Sequence, residues 1–449
     1  MSASSVGRGV RQPSSVRRVV VASLVGTSLE WYDFFIYGTA AALVFNQLFF
    51  PTFDPLVGTL LAFTTFAVGF VARPLGGIVF GHYGDKVGRK NVLVATLLLM
   101  GIATFLIGLM PTYATIGVWA PILLVLLRFL QGLGLGGEWG GAVLMTLESG
   151  DRSKRGLNAS WPQVGVPIGL LLANGMLSLM AAVSSDEAFL AWGWRVPFLL
   201  SGVLVLVGLW IRLTIAESPA FEQVEAKQEK ARAPIVDVLR SYPRQVLLAI
   251  GARVGVDVVF YLFVLFITTY IVTYLGLPQS YALNAVLIAA TFQVVFIPLF
   301  GALSDRIGRR PVYLAGAIGA AAWTFAFFAL LDTGSFALIV LAAVVALLLH
   351  AAMYGPQASF IAEMFPTQVR YSGASMGYQL AGVIGGALAP IIATALLSRY
   401  DTSLVVSLYA VVVLAITIMC VVIARETAKA DLDAEDAAFH TRVRRTRPD

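Results

Sequence analysis

Charge is what this chain has least of. Only 12% of its 449 residues are Asp, Glu, Lys or Arg, against about 25% in a typical soluble domain. A water-facing surface needs more than that, so a soluble globular protein is excluded. Cysteine is nearly absent: Cys420 stands alone in an apolar run, which removes intramolecular disulfides and cysteine metal clusters. Three histidines, His82, His350 and His440, lie far apart and lack ligand spacing, so no metal site is expected. No Gly-Lys-Ser/Thr phosphate loop occurs, which argues against ATP drive. Without a cofactor motif or a catalytic triad, the chain is not expected to be an enzyme, and no cofactor is expected. No cleavable signal peptide is expected, because residues 1–18 are polar and the first apolar stretch is too long for an h-region.

What the chain has in abundance is apolar length. It is 58% hydrophobic with a mean hydropathy of +0.83, and a membrane-spanning helix needs about 20 mostly apolar residues. Twelve such runs are expected, at 19–47, 57–81, 91–110, 118–146, 157–182, 194–214, 244–274, 281–303, 312–331, 335–357, 371–398 and 402–424. The implied fold is an all-α integral membrane protein. A tail at 1–18 leads into six helices over 19–214. A polar Glu-, Lys- and Ala-rich linker at 215–243 joins them to six more over 244–424, and a tail follows at 425–449.

The cations set the orientation. Of 31 Lys and Arg, 25 fall in the tails and in the loops of one side, which by the positive-inside rule is the cytoplasm. Both termini are therefore expected there, as in a multi-pass plasma-membrane protein. The pI near 9.4 has this origin, and no nucleic-acid partner is implied.

Two copies of one short stretch relate the halves. Gly81-His82-Tyr83-Gly84-Asp85-Lys86-Val87-Gly88-Arg89-Lys90 returns as Gly301-Ala302-Leu303-Ser304-Asp305-Arg306-Ile307-Gly308-Arg309-Arg310. A second pair, Glu148 with Arg155 and Glu363 with Arg370, follows each copy. Orientation alone accounts for the cations but not for the matched acids. Asp85, Arg89, Glu148 and Arg155, with Asp305, Arg309, Glu363 and Arg370, are therefore candidate cytoplasmic salt-bridge latches of an alternating-access cycle.

Charges inside spanning helices are costly and are candidate functional groups by default. Here they are Glu30, Asp33, Arg73, Arg128, Glu138, Arg253 and Asp257. Glu30 and Asp33 share one helix face by their i,i+3 spacing. Arg128 lies at a similar depth, so an ion pair with Asp33 across helices one and four is geometrically open. Burial favours a neutral acid and a nearby Arg a charged one, which suits either a proton switch or a static helix-to-helix pair. Glu138 serves either proton exit or closure of an inner gate. Arg253 and Asp257, at i,i+4, form either a carboxylate clamp or an internal salt bridge, with Tyr261 continuing the face. Gln293, Tyr354, Gln357, Tyr378 and Gln379 are candidate partners for substrate hydroxyls or simple interhelical contacts, and His350 reads as core. The small-residue run Gln131 to Gly141 lets helices approach closely.

These residues resemble a known group. The Asp85 and Asp305 loops are similar to the cytoplasmic signature of the major facilitator superfamily. Glu30-Trp31-Tyr32-Asp33-Phe34, Arg73-Pro74-Leu75-Gly76-Gly77, Arg128-Phe129-Leu130-Gln131-Gly132 and Gly136-Gly137-Glu138-Trp139-Gly140-Gly141 resemble its metabolite:proton symporter family. Met100 to Gly141 and Trp192 to Phe198 look nearest to the shikimate carrier branch. The resemblance implies a twelve-helix fold in two pseudo-symmetric halves and proton symport, with Asp33, Arg128, Glu138 and the loop residues as the firmest carry-over. Its partners are a small organic acid, the proton and membrane lipid, and the chain is expected to act as a monomer. A zwitterion carrier for proline or betaine is the alternative; that branch typically adds a long C-terminal coiled coil, which is not seen here. Passive facilitation is a further alternative, against which the buried acids argue.

Overall fold

A computed structural model describes residues 16–87, 89–136, 143–144, 146–147, 151–214, 234–366 and 370–428. Among them no strand occurs, and twelve long helical passes cross the molecule. The first half holds α1 (residues 16–49), α2 (Pro55–Val87), α3 (Arg89–Leu109), α4 (Trp119–Leu135), α5 (Arg155–Val183) and α6 (Arg195–Thr214). A short helix, Pro234–Ser241, precedes α7 (residues 243–274), α8 (Gln279–Ile307), α9 (Arg309–Asp332), α10 (Phe336–Ala362), α11 (residues 370–400) and α12 (Ser403–Ile423). Nine of the described helices are long and apolar enough to cross a membrane, and Trp119–Leu135 and the apolar stretch Val94–Leu109 are shorter.

The apolar surplus goes to two destinations. One is the interior. The other is an outer surface of large apolar side chains, which on α12 runs Leu404, Leu408, Val412, Ile416, Met419 and Ile423, each exposed. Near-fourfold spacing makes that set one stripe of a helix, and lipid rather than water is the solvent that tolerates it.

Within the first half α2 packs on α4 and α1 on α5; within the second α7 packs on α11 and α12, and α8 on α10. The halves meet through α5 with α8 and α10, and through α2 with α11. Glycine sets the tightest of these contacts. A Cβ at Gly132 would stand 2.2 Å from the Gly69 carbonyl, and one at Gly136 would stand 2.0 Å from that of Arg73. Backbones can meet that closely in a membrane only over such small residues. The sequence run chosen for its glycines thus clamps α4 to α2, and it sets Arg128 and Arg73 on adjoining helices.

Among the described residues five stretches are π-helical: Ala41–Phe45, Phe189–Gly193, Leu262–Phe266, Tyr270–Tyr274 and Gly382–Ala387. Such bulges concentrate at functional positions of membrane helices. Here one lies in α1, two in α7 and one in α11, the helices that bound the central interface. Gly385 and Gly386 lie in the α11 bulge, where a Cβ would stand 2.7 Å from the Val254 carbonyl and 2.7 Å from Phe70, respectively.

Among the described residues the halves touch toward both ends of their interface. At the face carrying the Asp305 turn, α5 crosses α8 at Gly156 and Gly301. Toward the other face, Gly38 of α1 packs against Leu265 of α7, and the Phe35 and Phe260 rings lie 5.9 Å apart.

Candidate functional site

Within the spanning helices the guanidinium groups of Arg73, Arg128 and Arg253 are buried, each 3% exposed or less. Each has a different environment. Arg128 is caged by rings, 4.5 Å from Phe34, 4.3 Å from Tyr37 and 4.8 Å from Phe66. Its Nη1 donates to Gln131 Oε1, while Nε and Nη2 have no hydrogen-bond partner among the described residues. Cation–π contact of this kind is worth about 2 kcal/mol when desolvated.

Asp33 is 3% exposed, and its Oδ1 has no partner among the described residues. The direct Asp33–Arg128 ion pair that the sequence left open is not formed. The glycine contact between α2 and α4 draws Arg128 against Gly69 and into its aromatic cage. Gln131 connects the two instead, donating to the Asp33 backbone carbonyl at 3.2 Å and to Thr104 Oγ1 at 2.7 Å. Sequence reading gave Gln131 no role beyond its place in a motif, because a buried amide shows its partners only in the fold.

In the second half Arg253 Nε bonds Asp257 Oδ2 at 2.9 Å, and the guanidinium lies 3.1 Å from the Tyr378 ring centroid. The internal salt bridge, one of the two sequence readings, is present. Gln357 accepts from Arg253 Nη1 at 3.5 Å and donates to the Tyr313 hydroxyl at 3.0 Å. Gln293 Nε2 and His350 Nδ1 are 2.7 Å apart, and Gln293 Oε1 has no partner among the described residues. The His350 ring stacks on Tyr354 at 5.0 Å. Gln379 joins the halves, donating to the Gly136 carbonyl at 3.1 Å. Tyr261 packs 5.6 Å from Phe70 and 6.5 Å from Phe34.

Between the halves Thr27, Glu30, Trp31, Arg73, Tyr378 and Gln379 line a cavity of about 10 Å³, room for roughly one water. The aligned acid and amide side chains thus converge on a closed core. Glu138 lies outside the described residues.

The closing face carries the second cluster. Arg309 Nη1 bonds Asp305 at 2.6 Å, and its Nη2 bonds Glu363 at 3.2 Å. The Asp305 carboxylate also crosses to the other half, where it accepts from the backbone N–H of Gly156 at 2.8 Å and of Leu157 at 3.0 Å. That places an acid on the N-terminus of α5, where the helix dipole favours it. Arg155 opens that helix, and Arg370 Nε donates to the Phe365 carbonyl at 3.1 Å. Asp85 lies in the last turn of α2 and Arg89 begins α3, with their side chains outside the description, as is Glu148 altogether.

The tail supplies two partners that sequence reading missed, since a short mixed-charge segment carries no periodic signal. Thr427 Oγ1 donates to Glu363 at 2.7 Å. Glu426 accepts from the backbone N–H of Arg309, Arg310, Thr427 and Ala428 beside Gly308, whose φ of 105° suits glycine alone. Partial desolvation raises the Glu426 pKa, but the four N–H donors outweigh it and hold the carboxyl below its usual value. A depressed acid stabilises the docked tail above its unfolded pKa, and that contribution is lost as pH falls through the lower folded value. Glu426→Ala is accordingly expected to speed amide exchange at Arg309 and Arg310 at neutral pH, and wild type to approach the variant only in acid. Equal exchange in both proteins at neutral pH would remove the docking role.

Buried charges on facing helices of two six-helix halves are the architecture of a membrane transporter. Residues 18–238 match the family model described as Sugar (and other) transporter, and residues 284–447 match that of the Major Facilitator Superfamily. The shikimate transporter of Escherichia coli (strain K12) is 44% identical over 395 residues, spanning 87% of this chain and 90% of that one. The proline/betaine transporter of Salmonella typhimurium (strain LT2) is 34% identical, spanning 93% of this chain and 85% of that one. Among solved structures, the partially occluded inward-open xylose transporter XylE from E. coli superposes with a TM-score of 0.71 at 19% identity, covering 93% of this chain and 99% of that one. The chain belongs to the major facilitator superfamily, and the protein is a membrane transporter.

Proposed function

We propose that the protein is a proton-coupled symporter that imports a small hydroxylated carboxylate, such as shikimate, across the inner membrane. The observation that carries this reading is a buried carboxyl, that of Asp33, on a residue whose backbone carbonyl shares the Gln131 amide with a caged guanidinium, Arg128. An acid at that depth is retained for chemistry rather than for stability. Asp33 takes up and releases the proton, with Glu30 and Glu138 completing its route. Arg128, Arg253, Asp257, Tyr261, Gln293, Tyr354, Gln357, Tyr378 and Gln379 surround the substrate. The 44% identical shikimate transporter supports the choice of ligand.

Alternating access then opens one end at a time, with the cluster of Asp305, Arg309, Glu363 and Arg370 and its counterpart Asp85, Arg89, Glu148 and Arg155 holding the cytoplasmic end. The Lys and Arg distribution supports that orientation with both termini inside. Labelling of His440→Cys, in a Cys420→Ala background, by an impermeant thiol reagent from outside intact cells would reverse it.

A second reading is favoured by one observation, the 34% identical proline/betaine transporter, together with the core acids Glu30, Asp33 and Asp257, which suit a cationic amine. Uptake into proteoliposomes separates the two. Shikimate is expected to accumulate when an inward proton gradient is imposed and to equilibrate when a protonophore collapses it. Accumulation of glycine betaine in place of shikimate would replace the substrate, and uptake indifferent to the gradient would remove the coupling.

A further inference from the structure

Arg253 drew attention from the sequence as a carboxylate clamp and Arg128 as a buried cation near Asp33, yet the fold engages both. Arg253 is tied to Asp257 at 2.9 Å and pressed against the Tyr378 ring. Arg128 has spent Nη1 on Gln131, is enclosed by three rings, and does not line the cavity between the halves.

Arg73 shares with Arg128 its aromatic faces and its unpartnered Nε and Nη2 among the described residues, but it differs from both other guanidinium groups in lining the cavity between the halves. It is 3% exposed, and its Nε and Nη2 have no hydrogen-bond partner among the described residues. It lines the central cavity. Its guanidinium rests on the faces of Phe34 at 4.3 Å and Phe70 at 4.5 Å. Those faces fix its plane but satisfy none of its N–H donors. A buried unpaired donor costs about 1–3 kcal/mol, more when charged, so such an arrangement is a poor way to brace helices. It is a good way to hold a fork ready, because adjacent N–H groups of one guanidinium match the two oxygens of a carboxylate. Glu30 lines the same cavity and acts on Arg73 electrostatically, as do Tyr261, Tyr378 and Arg253.

We propose that Arg73 is the carboxylate-recognising residue of the transport site, receiving the substrate's anionic group in a cavity shared by Glu30, Trp31, Tyr378 and Gln379. The proposal rests on the transport reading above, and it assigns the anion to α2 of the first half rather than to α7 of the second. Tyr378 and Gln379, reaching in from α11, then bond the remainder of the ligand. The same two helices meet across the interface between halves, so a ligand held there bridges the parts that must move.

The test compares each acid with an analogue lacking the anion. In proteoliposomes, wild type is expected to prefer shikimate to methyl shikimate by about tenfold or more, the worth of a charge-assisted hydrogen bond. Arg73→Gln should bring the two within about twofold. Arg73→Lys keeps the charge but loses the fork, so it should raise KM for shikimate while leaving kcat and the ester nearly unchanged. An acid preference undiminished in either variant overturns the assignment while leaving the organic-acid reading intact. If wild type takes up glycine betaine instead, the organic-acid reading falls, and the same comparison is made between glycine betaine and choline. Uptake of neither carboxylate overturns both. Because either variant can fail to fold, wild type is also treated with phenylglyoxal and the Arg73 peptide read by mass spectrometry. Shikimate or glycine betaine, whichever is transported, should protect it and the uncharged or cationic analogue should not; equal modification with and without the acid refutes the site.

Discussion

Asp33→Asn is expected to abolish accumulation of substrate against its gradient while leaving exchange of labelled for unlabelled substrate in place. The substitution is unusually clean here. Gln131 donates to the backbone carbonyl of Asp33 and not to its side chain, so the amide variant keeps the hydrogen bond that connects α1 to α4. Thr104, bonded to the same amide at 2.7 Å, also hydrogen-bonds the Asp33 carboxyl, a contact that the asparagine side-chain carbonyl can retain. What changes is the carboxyl alone, whose Oδ1 is buried without a partner among the described residues. Asparagine stands in for an acid that never releases its proton, and a carrier locked in that state can shuttle substrate but cannot exploit a proton gradient. Each 100 mV of proton-motive force is worth about 2.3 kcal/mol per proton, or on the order of fortyfold in the concentration ratio. Counterflow and gradient-driven uptake, measured on the same proteoliposomes, separate the two activities. If Asp33→Asn still concentrates substrate, the proton is carried elsewhere, and Glu30 or Glu138 becomes the residue to substitute.

The buried charges were legible in the sequence for a simple reason. Placing Glu30, Asp33, Arg73, Arg128, Arg253 and Asp257 among apolar neighbours is expensive, so each stands out without knowledge of the fold. Their partners were legible only where the chain itself brings them together. Arg253 and Asp257 are one helical turn apart, and the salt bridge follows from that spacing. Asp33 and Arg128 lie on different helices, and their separation is decided by where the glycines of α2 and α4 let the backbones meet, a distance no spacing encodes. Arg73 stood out as a charge within a spanning run but carried no assigned partner or role, and its place beside Tyr378 and Gln379 emerges only when α11 closes the cavity from the other half. The twelve passes were readable from apolar length, whereas the π-helical stretches were not. Leu262–Phe266 contains ordinary helix formers, and its bulge answers to packing between α7 and its neighbours rather than to local propensity.

The repeated turns were readable as charged clusters and candidate latches, but their wiring was not. Asp305 reaches the backbone of α5 in the other half, Arg309 joins Asp305 to Glu363 within its own half, and Thr427 caps Glu363. Arg309→Ala is therefore expected to disrupt the closed face more than loss of any one acid would. Arg309 and Glu363 are each 1% exposed, and removing one member of a buried pair costs about 3–5 kcal/mol because the other is left uncompensated. If even part of that cost falls on the closed state alone, the population shifts toward opening on the order of a hundredfold, since about 1.4 kcal/mol corresponds to tenfold. Ser160 reports the shift directly: it is buried where α5 crosses α8, against Gly301. In a Cys420→Ala background carrying Ser160→Cys, Arg309→Ala should raise thiol labelling from the Asp305 face and reduce transport at least about tenfold. Arg309→Lys retains a charge without the two-sided fork and should fall between. Were labelling and transport both unchanged in Arg309→Ala, the charged turns would serve orientation in the membrane and nothing more. The closing energy would then have to come from the glycine contact between α5 and α8.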